Sequence, residues 1–486
     1  MKDQFNTSNI HTFFYTFLLL ILLGSNDIIY TQETECNASS QRRDWFYGQR
    51  KYPFESIPPE SYANAMYQKN LLEQTYGYQI QAPVRWTEIG PKPFQPHSDF
   101  GTLASGRISA LIYDKRDQSG NTIYIAPAGG GVWKTTDGGV VWVDISGDLM
   151  TLVSGAIAID YETGAIYYGS GSNHYFGTEY RGMGMFKTTD EQHWEHISIG
   201  LWPQTQIFRI AINPNNSQNI FIAESHGLYR TDNGGASWFK VLPVNPSLYR
   251  SCTDVCFSPN GSKVYAIGPS SNFFAPPYSG IGFWKSENDQ AFEEITSGTG
   301  YPHSGAPAQG RSLLAVSAAQ ENLIYVLSYD DGSNVLYIYK STNDGAIFSS
   351  FTLLDEYNNY LWAMGQNAGF NQMIRCSDIN PDICFIGFQD LYRTQGFQNW
   401  VKVGGYSTVV HPDFHTLDFN PNPNLPYNIA VGSDGGFYRS DNIGNTWSNM
   451  NDSLGLTQMF RVASNTYNTD MILGGLEDEG IGYKNS

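Results

Sequence analysis

The chain has 486 residues, enough for two or three domains, and its 41% hydrophobic and 15% aromatic content supplies an ample core. With 46 Asp and Glu against 28 Lys and Arg, the net charge of −18 lacks the basic stripe that nucleic acids need and disfavours anionic membranes. Only 15% of residues are charged while Gly numbers 49 and Pro 23, which suits a turn-rich all-β protein and leaves neutral or cationic ligands, Ca²⁺ included, open.

The first element is an apolar run from Phe13 to Leu23, behind a weak leader in which Asp3 offsets Lys2. It is short for a bilayer span and fits a secretory signal over residues 1–32, cleaved near Tyr30 to Gln32. The expected location is secreted or cell-surface, with a membrane-anchored chain as the alternative. Residues 33–83 read as an N-terminal arm packed on the main body. Arg42 to Gly48 and Ile57 to Pro59 form its irregular lead-in, and Ser61 to Gln74 is the one predicted helix.

From residue 84 onward, short β-rich runs follow one another in fixed order, bounded by Gly, Pro, Asn or Asp. Arg107–Tyr113, Thr122–Ala126 and Gly131–Lys134 make one set. Ile207–Ile212, Asn219–Ala223 and Gly227–Arg230 make another, as do His415–Phe419, Asn428–Val431 and Gly436–Arg439. After each third run comes one short phrase: Ser or Thr, any residue, Asp or Asn, any residue, Gly, two residues, then Trp or Phe. Full copies run from Thr135 through Asp137 to Trp142, Thr231 through Asn233 to Trp238, Ser341 through Asn343 to Phe348, and Ser440 through Asn442 to Trp447. Worn copies run from Thr188 through Asp190 to Trp194, Ser286 through Asn288 to Phe292, and Thr394 to Trp400. They recur about every 50 residues, the period of an array or propeller.

The chemistry of the phrase is that of a hairpin. Hydroxyl and Asx side chains accept hydrogen bonds from backbone N–H groups a few residues on, and Gly supplies a positive φ. The aromatic then opens the next strand and buries its ring between units. Four strands per unit, with the phrase between the third and fourth, describe a propeller blade. The prediction is an all-β propeller over residues 84–486, with seven full four-stranded blades and a partial eighth. The eighth would comprise Met459–Ala463, Met471–Gly474 and Gly482–Lys484. Val84–Glu88 is a candidate for its missing fourth strand, which would close the ring by pairing the two chain ends. The rival, which is favoured, is a chain cut short in mid-blade.

Candidate functional residues gather in the seventh blade. On an extended strand His411, Asp413 and His415 point the same way, so they are a candidate divalent-metal set or acid–base pair. Asp418 and Asp434 follow, and Asp434 with Asp413 is the candidate catalytic carboxylate pair. A His–Asp pair that merely satisfies backbone groups at a blade junction is the structural alternative. Asn173–Phe176 with Glu179 and Tyr180 form an aromatic insertion in the second blade. There His174, Tyr175 and Tyr180 are candidates to stack on sugar rings or cap the channel mouth. Arg107, Arg209, Arg311, Arg375 and Arg461 all sit near first strands, which line the central channel of a propeller. Glu477–Glu479 is an acidic cluster that reads as a solvated turn, with a Ca²⁺ contact as the alternative. Gly129–Gly131 lies between strands, so it is not a phosphate loop.

Five cysteines are compatible with an oxidising compartment. Cys376 and Cys384 flank a predicted turn and are placed to face each other. Cys252 and Cys256 are expected on one face of a strand, too far apart to bond together.

The hairpin phrases resemble the bacterial neuraminidase repeat, or Asp-box. Gly129–Gly139, Gly432–Tyr438 and Gly474–Gly480 look like segments of secreted bacterial proteins with sortilin-type propellers. Their relatives include xyloglucanase-type glycoside hydrolases and sialidases. The resemblance covers roughly residues 84–486 and implies the propeller fold with the phrases on the blade rim. For activity it implies either a binding scaffold for a protein, peptide or glycan, or a polysaccharide hydrolase. Where xyloglucanase-type enzymes carry a catalytic Asp in the first blade, this chain has Ala126-Pro127-Ala128 before Gly129. The Arg-Ile-Pro opening of sialidases is absent, since Ala211 follows Arg209-Ile210.

Overall fold

The computed structural model describes residues 103–486 except 173–179, 244–250, 270–280, 296–299, 301–310, 331–334, 354–370, 397–398, 465, 468–470, 477–479 and 485–486, plus isolated earlier positions. The chain divides into two units, Met1–Tyr78 and Gln79–Ser486. In the first, Ser61, Asn64, Ala65, Gln68 and Leu71 are helical, within the expected helix. The apolar run 13–23 and Val84–Glu88 lie outside the described residues. So do His174, Tyr175 and Glu477–Glu479. Among the described residues no helix is long and apolar enough to cross a membrane.

The second unit is built from antiparallel sheets whose strands follow chain order. Blade 1 comprises Ile108–Tyr113, Ile123–Pro127, Trp133–Thr135 and Val143–Asp144, and six more four-stranded sheets repeat that order. The innermost strands of blades 2 to 7 are Ser154–Ile159, Ile207–Asn213, Asp254–Phe257, Ser312–Val316, Met373–Cys376 and Phe414–Phe419. Each inner strand packs on the next, and Phe414–Phe419 packs on Ile108–Tyr113, so the ring closes at seven blades. The partial eighth forms a three-stranded sheet of Met459–Ser464, Ile472–Leu476 and Gly480–Lys484. It makes no extended contact with the seven blades. Pairing of the chain ends is therefore not what closes the ring.

Side chains close it instead. Thr416 Oγ1 accepts from the backbone N–H of Leu111 at 3.2 Å, and Asp418 Oδ2 accepts from that of Tyr113 at 3.1 Å. Arg439 Nη1 donates to Gly138 O across the same seam at 2.9 Å.

The core is divided among the seams, because each sheet has two apolar faces and can cover both only by stacking against neighbours. Each hairpin aromatic falls in the seam with the blade before its own. Trp194 packs with blade 1 residues, Trp238 with blade 2, Phe348 with blade 4, Trp400 with blade 5 and Trp447 with blade 6. Trp142 closes the circle against Phe437 of blade 7, ring centroids 5.0 Å apart and edge-on. Indole N–H groups anchor the rings to the preceding blade: Trp194 to Ile145 O (2.9 Å), Trp238 to Ile197 O (2.7 Å) and Trp447 to Val403 O (2.6 Å).

The hairpins have the geometry their residues demand. Asp137 Oδ1 accepts from the N–H groups of Val140 (3.0 Å) and Val141 (2.9 Å), and Thr135 Oγ1 accepts from that of Gly139 (2.9 Å). Gly139 has φ 101°, and a Cβ there would stand 3.0 Å from the Phe437 ring. In the copy that reaches Trp194 one residue early, Glu191 takes the positive φ, at 61°.

Candidate functional site

The strand order gives the ring two unlike ends. One carries the first-to-second-strand turns and the seven hairpins, all short and locally hydrogen-bonded. Asp117, for example, accepts from the N–H groups of Ser119 and Thr122, both at 2.9 Å. The other end carries the second-to-third-strand connections and the links between blades. By strand bounds the longer of these include those between Ser170 and Met185, Pro269 and Ile281, Glu294 and Ser312, and Thr352 and Met373. Exposed Tyr180, Trp202, Tyr406 and Val409 also lie on connections at that end.

Arg107, His415 and Asp434 meet at this end, where blade 7 joins blade 1. His415 Nε2 lies 2.6 Å from Asp434 Oδ1, and Arg107 Nε lies 3.9 Å from the same oxygen. All three side chains are buried. A β-bulge explains the aim of His415. The register of the inner strand slips between Phe414 and Thr416, leaving His415 as the extra residue, and bulges re-aim side chains in this way. Blades 1, 2 and 3 slip at the matching place, leaving Ser109, Gly155 and Phe208 unpaired.

The expected metal set is not assembled. The strand begins only at Phe414, Asp413 has φ 66°, and the bulge turns His415, so the alternation assumed for 411, 413 and 415 fails. His411 Nδ1 lies 3.0 Å from Pro412 O, and a Cβ at Gly435 would clash with the His411 side chain at 2.3 Å. Asp413 accepts a hydrogen bond from Asn371 Nδ2. Among the described residues no three His, Cys, Asp or Glu side chains are arranged to hold a metal ion. Nor do Asp413 and Asp434 line the channel, so the candidate catalytic pair does not flank an open groove there. Asp418 works elsewhere: besides Tyr113 N–H it holds Arg375, Nη2 to Oδ1 3.0 Å. Tyr180 is exposed at the inserted connection of blade 2.

The central channel encloses about 570 Å³ among the inner strands of all seven blades. Of the five arginines expected near it, Arg209, Arg311 and Arg375 line it. Arg107 turns to Asp434, and Arg461 lies on the three-stranded sheet outside the ring. Arg375 is fully paired, by Asp378 (3.0 Å) and Asp418 (3.0 Å). Arg209 Nε stands 3.6 Å from Asp254 Oδ1. Asp254 also accepts from the N–H groups of Val255 (2.9 Å) and Leu314 (2.8 Å). Burial raises its carboxyl above the ordinary value against the pull of Arg209. Asp254 and the channel-lining Gln372 escaped sequence reasoning. The available signal was a carboxylate inside an otherwise apolar inner strand, with no motif around it.

The cysteines divide as their strands dictate. Cys376 and Cys384 are directly opposite, sulfurs 2.6 Å apart. Cys252 precedes the strand that starts at Asp254 and packs with blade 3 residues, whereas Cys256 packs toward blade 5, so they do not share a face.

No protein-family model and no curated protein matches the chain. Solved structures do. A GH74 xyloglucanase from Xanthomonas campestris is 11% identical, covering 80% of this chain and 73% of its own, with a TM-score of 0.40. YCF48 from Cyanidioschyzon merolae is 14% identical over 69% of this chain and 95% of its own, with a TM-score of 0.42. YCF48 bound to a D1 peptide is 14% identical over 71% and 94%, with a TM-score of 0.43. At these identities the likeness is one of fold.

Proposed function

We propose that this protein is a secreted or cell-surface binding or scaffold propeller. It holds a protein, peptide or glycan at the end of the ring where the long connections gather. The seven rim hairpins serve as Asp-box repeats that hold the blades together. The observation that carries this proposal is the state of the candidate carboxylates. Asp434 is 7% exposed and its Oδ1 lies against His415. Asp413 is bonded to Asn371. A glycoside hydrolase needs two carboxylates flanking an accessible sugar bond, roughly 5–10 Å apart. Loop ends held on a rigid scaffold suit recognition.

Two measurements test the proposal. Purified full chain is incubated with plant and marine polysaccharides alongside its Asp434→Asn variant, and spread over glycan and peptide arrays. Binding without release of reducing sugar is expected. Release of reducing sugar that Asp434→Asn abolishes would replace the scaffold with a hydrolase. N-terminal sequencing of the mature protein is expected to begin just after residues 30–32. An uncleaved Met1 start on protein that stays inside the cell and is protected from protease added to intact cells would overturn the proposed export.

A further inference from the structure

We infer that the central channel is an anion site, built by Arg311, Arg209 and Gln372 and suited to a carboxylate group. Arg311 lines the channel yet is only 8% exposed. It makes no hydrogen bond and no ion pair with the described residues. A guanidinium in such a place carries five donors and a full charge that burial penalises. Burial pushes its pKa down to about 10, against the pull of nearby Asp254.

Gln372 is the second observation, and it is independent. It lines the same channel from blade 6, is 1% exposed, and neither Nε2 nor Oε1 has a hydrogen-bond partner among the described residues. Native proteins seldom leave both ends of a buried amide unmet. Arg209, half exposed in the channel, has Asp254 as its one ion-pair partner among the described residues. That carboxylate is already engaged by the Val255 and Leu314 amides.

Charge selects the ligand class. Two guanidinium groups against one carboxylate leave the cluster at +1, which a monoanion neutralises and a dianion overshoots. Of the other charges lining the channel, Arg375 is held by Asp378 and Asp418, Lys115 by Asp378, and the Asp160 carboxylate by the Glu162 N–H and the Thr163 hydroxyl, while Glu162 itself is exposed to solvent. Guanidinium forks pair readily with carboxylates, and the Gln372 amide N–H adds a neutral donor. A carboxylate arriving on a sugar acid and one on a peptide side chain present the same chemistry.

The test uses the full chain, with sodium acetate, glucuronate and N-acetylglutamate amide as calorimetric probes against sodium chloride at equal ionic strength. Saturable binding of at least one carboxylate is expected, and Arg311→Met should weaken it about tenfold or more. The tighter of the last two probes tells a sugar acid from a peptide. Arg311→Met is also expected to raise the ligand-free melting temperature, because it removes a buried charge that has no hydrogen bond or ion pair among the described residues and only the more distant pull of Asp254 to offset burial. Gln372→Leu should weaken the same probe and leave folding intact. No carboxylate binding beyond that of chloride would overturn the inference, whatever macromolecule the outer face binds. So would a melting temperature that falls in Arg311→Met, because the guanidinium would then be a structural fastener.

Discussion

The Asp418 carboxylate accepts the backbone N–H of Tyr113 at 3.1 Å while its other oxygen holds the Arg375 guanidinium at 3.0 Å. One side chain thus joins blade 7 to both its neighbours, at the seam where the chain has no strand to lend. Asp418→Ala is expected to cost about 2–3 kcal/mol in urea unfolding, since it removes the acceptor for the buried Tyr113 N–H and one of the two carboxylates that hold Arg375, leaving that guanidinium on Asp378 alone. The double variant Asp418→Leu with Arg375→Met should recover much of that loss. If the double variant is as unstable as the single one, the ion pair is not the cause.

Asp378 links stability to pH. Burial opposes its ionisation, but Arg375 and then Lys115 outweigh that and hold its carboxyl well below the ordinary value. A depressed folded-state pKa adds stability that is complete above the unfolded value, near 4. That stability is lost as pH falls toward the folded one. Wild type should therefore lose more stability than Asp378→Asn between about pH 5 and about pH 2. Parallel acid titrations followed by tryptophan fluorescence measure the difference.

The rim hairpins should show graded sensitivity. Trp238→Ala removes a buried ring and its bond to Ile197 O, and is expected to cost about 3–5 kcal/mol. Thr231→Ala removes the acceptor for Gly235 N–H (3.0 Å) and should cost about 1 kcal/mol. Gly139→Ala combines a φ of 101° with a 3.0 Å approach to Phe437 and should fall between them. Thermal melts of the three variants rank them.

Cys376 and Cys384 are poised for a crosslink. Ser377 N–H donates to Ile383 O at 2.9 Å, so the adjoining Cys376–Cys384 pair is the closer, non-hydrogen-bonded kind. Its Cα spacing, about 4.5 Å in such pairs, lies within disulfide range. Protein matured in an oxidising compartment should release two more alkylatable thiols after reduction than before, when denatured and read by mass spectrometry. Cys376→Ser should abolish the difference.

By itself the amino-acid order determined the blade. Hydroxyl, Asx, Gly and aromatic residues at fixed offsets act through bonds a few residues long, so Asp137, Asn233 and Asn442 announce their turns without knowledge of anything distant. Seven such phrases implied seven sheets, and the alternating runs between them implied their strands. What only the tertiary structure decided is everything that depends on a neighbour across a seam. His415 looked like part of a metal set because strands alternate, but a bulge beside Phe414 turned it toward Asp434. Asp418 looked like a ligand until Tyr113, 305 residues earlier, came within reach. Ring closure at seven, and the meeting of Arg209, Asp254, Arg311 and Gln372 around one channel, follow from the angle at which sheets pack. That angle is set by the sum of all seven seams and is written in no single one of them.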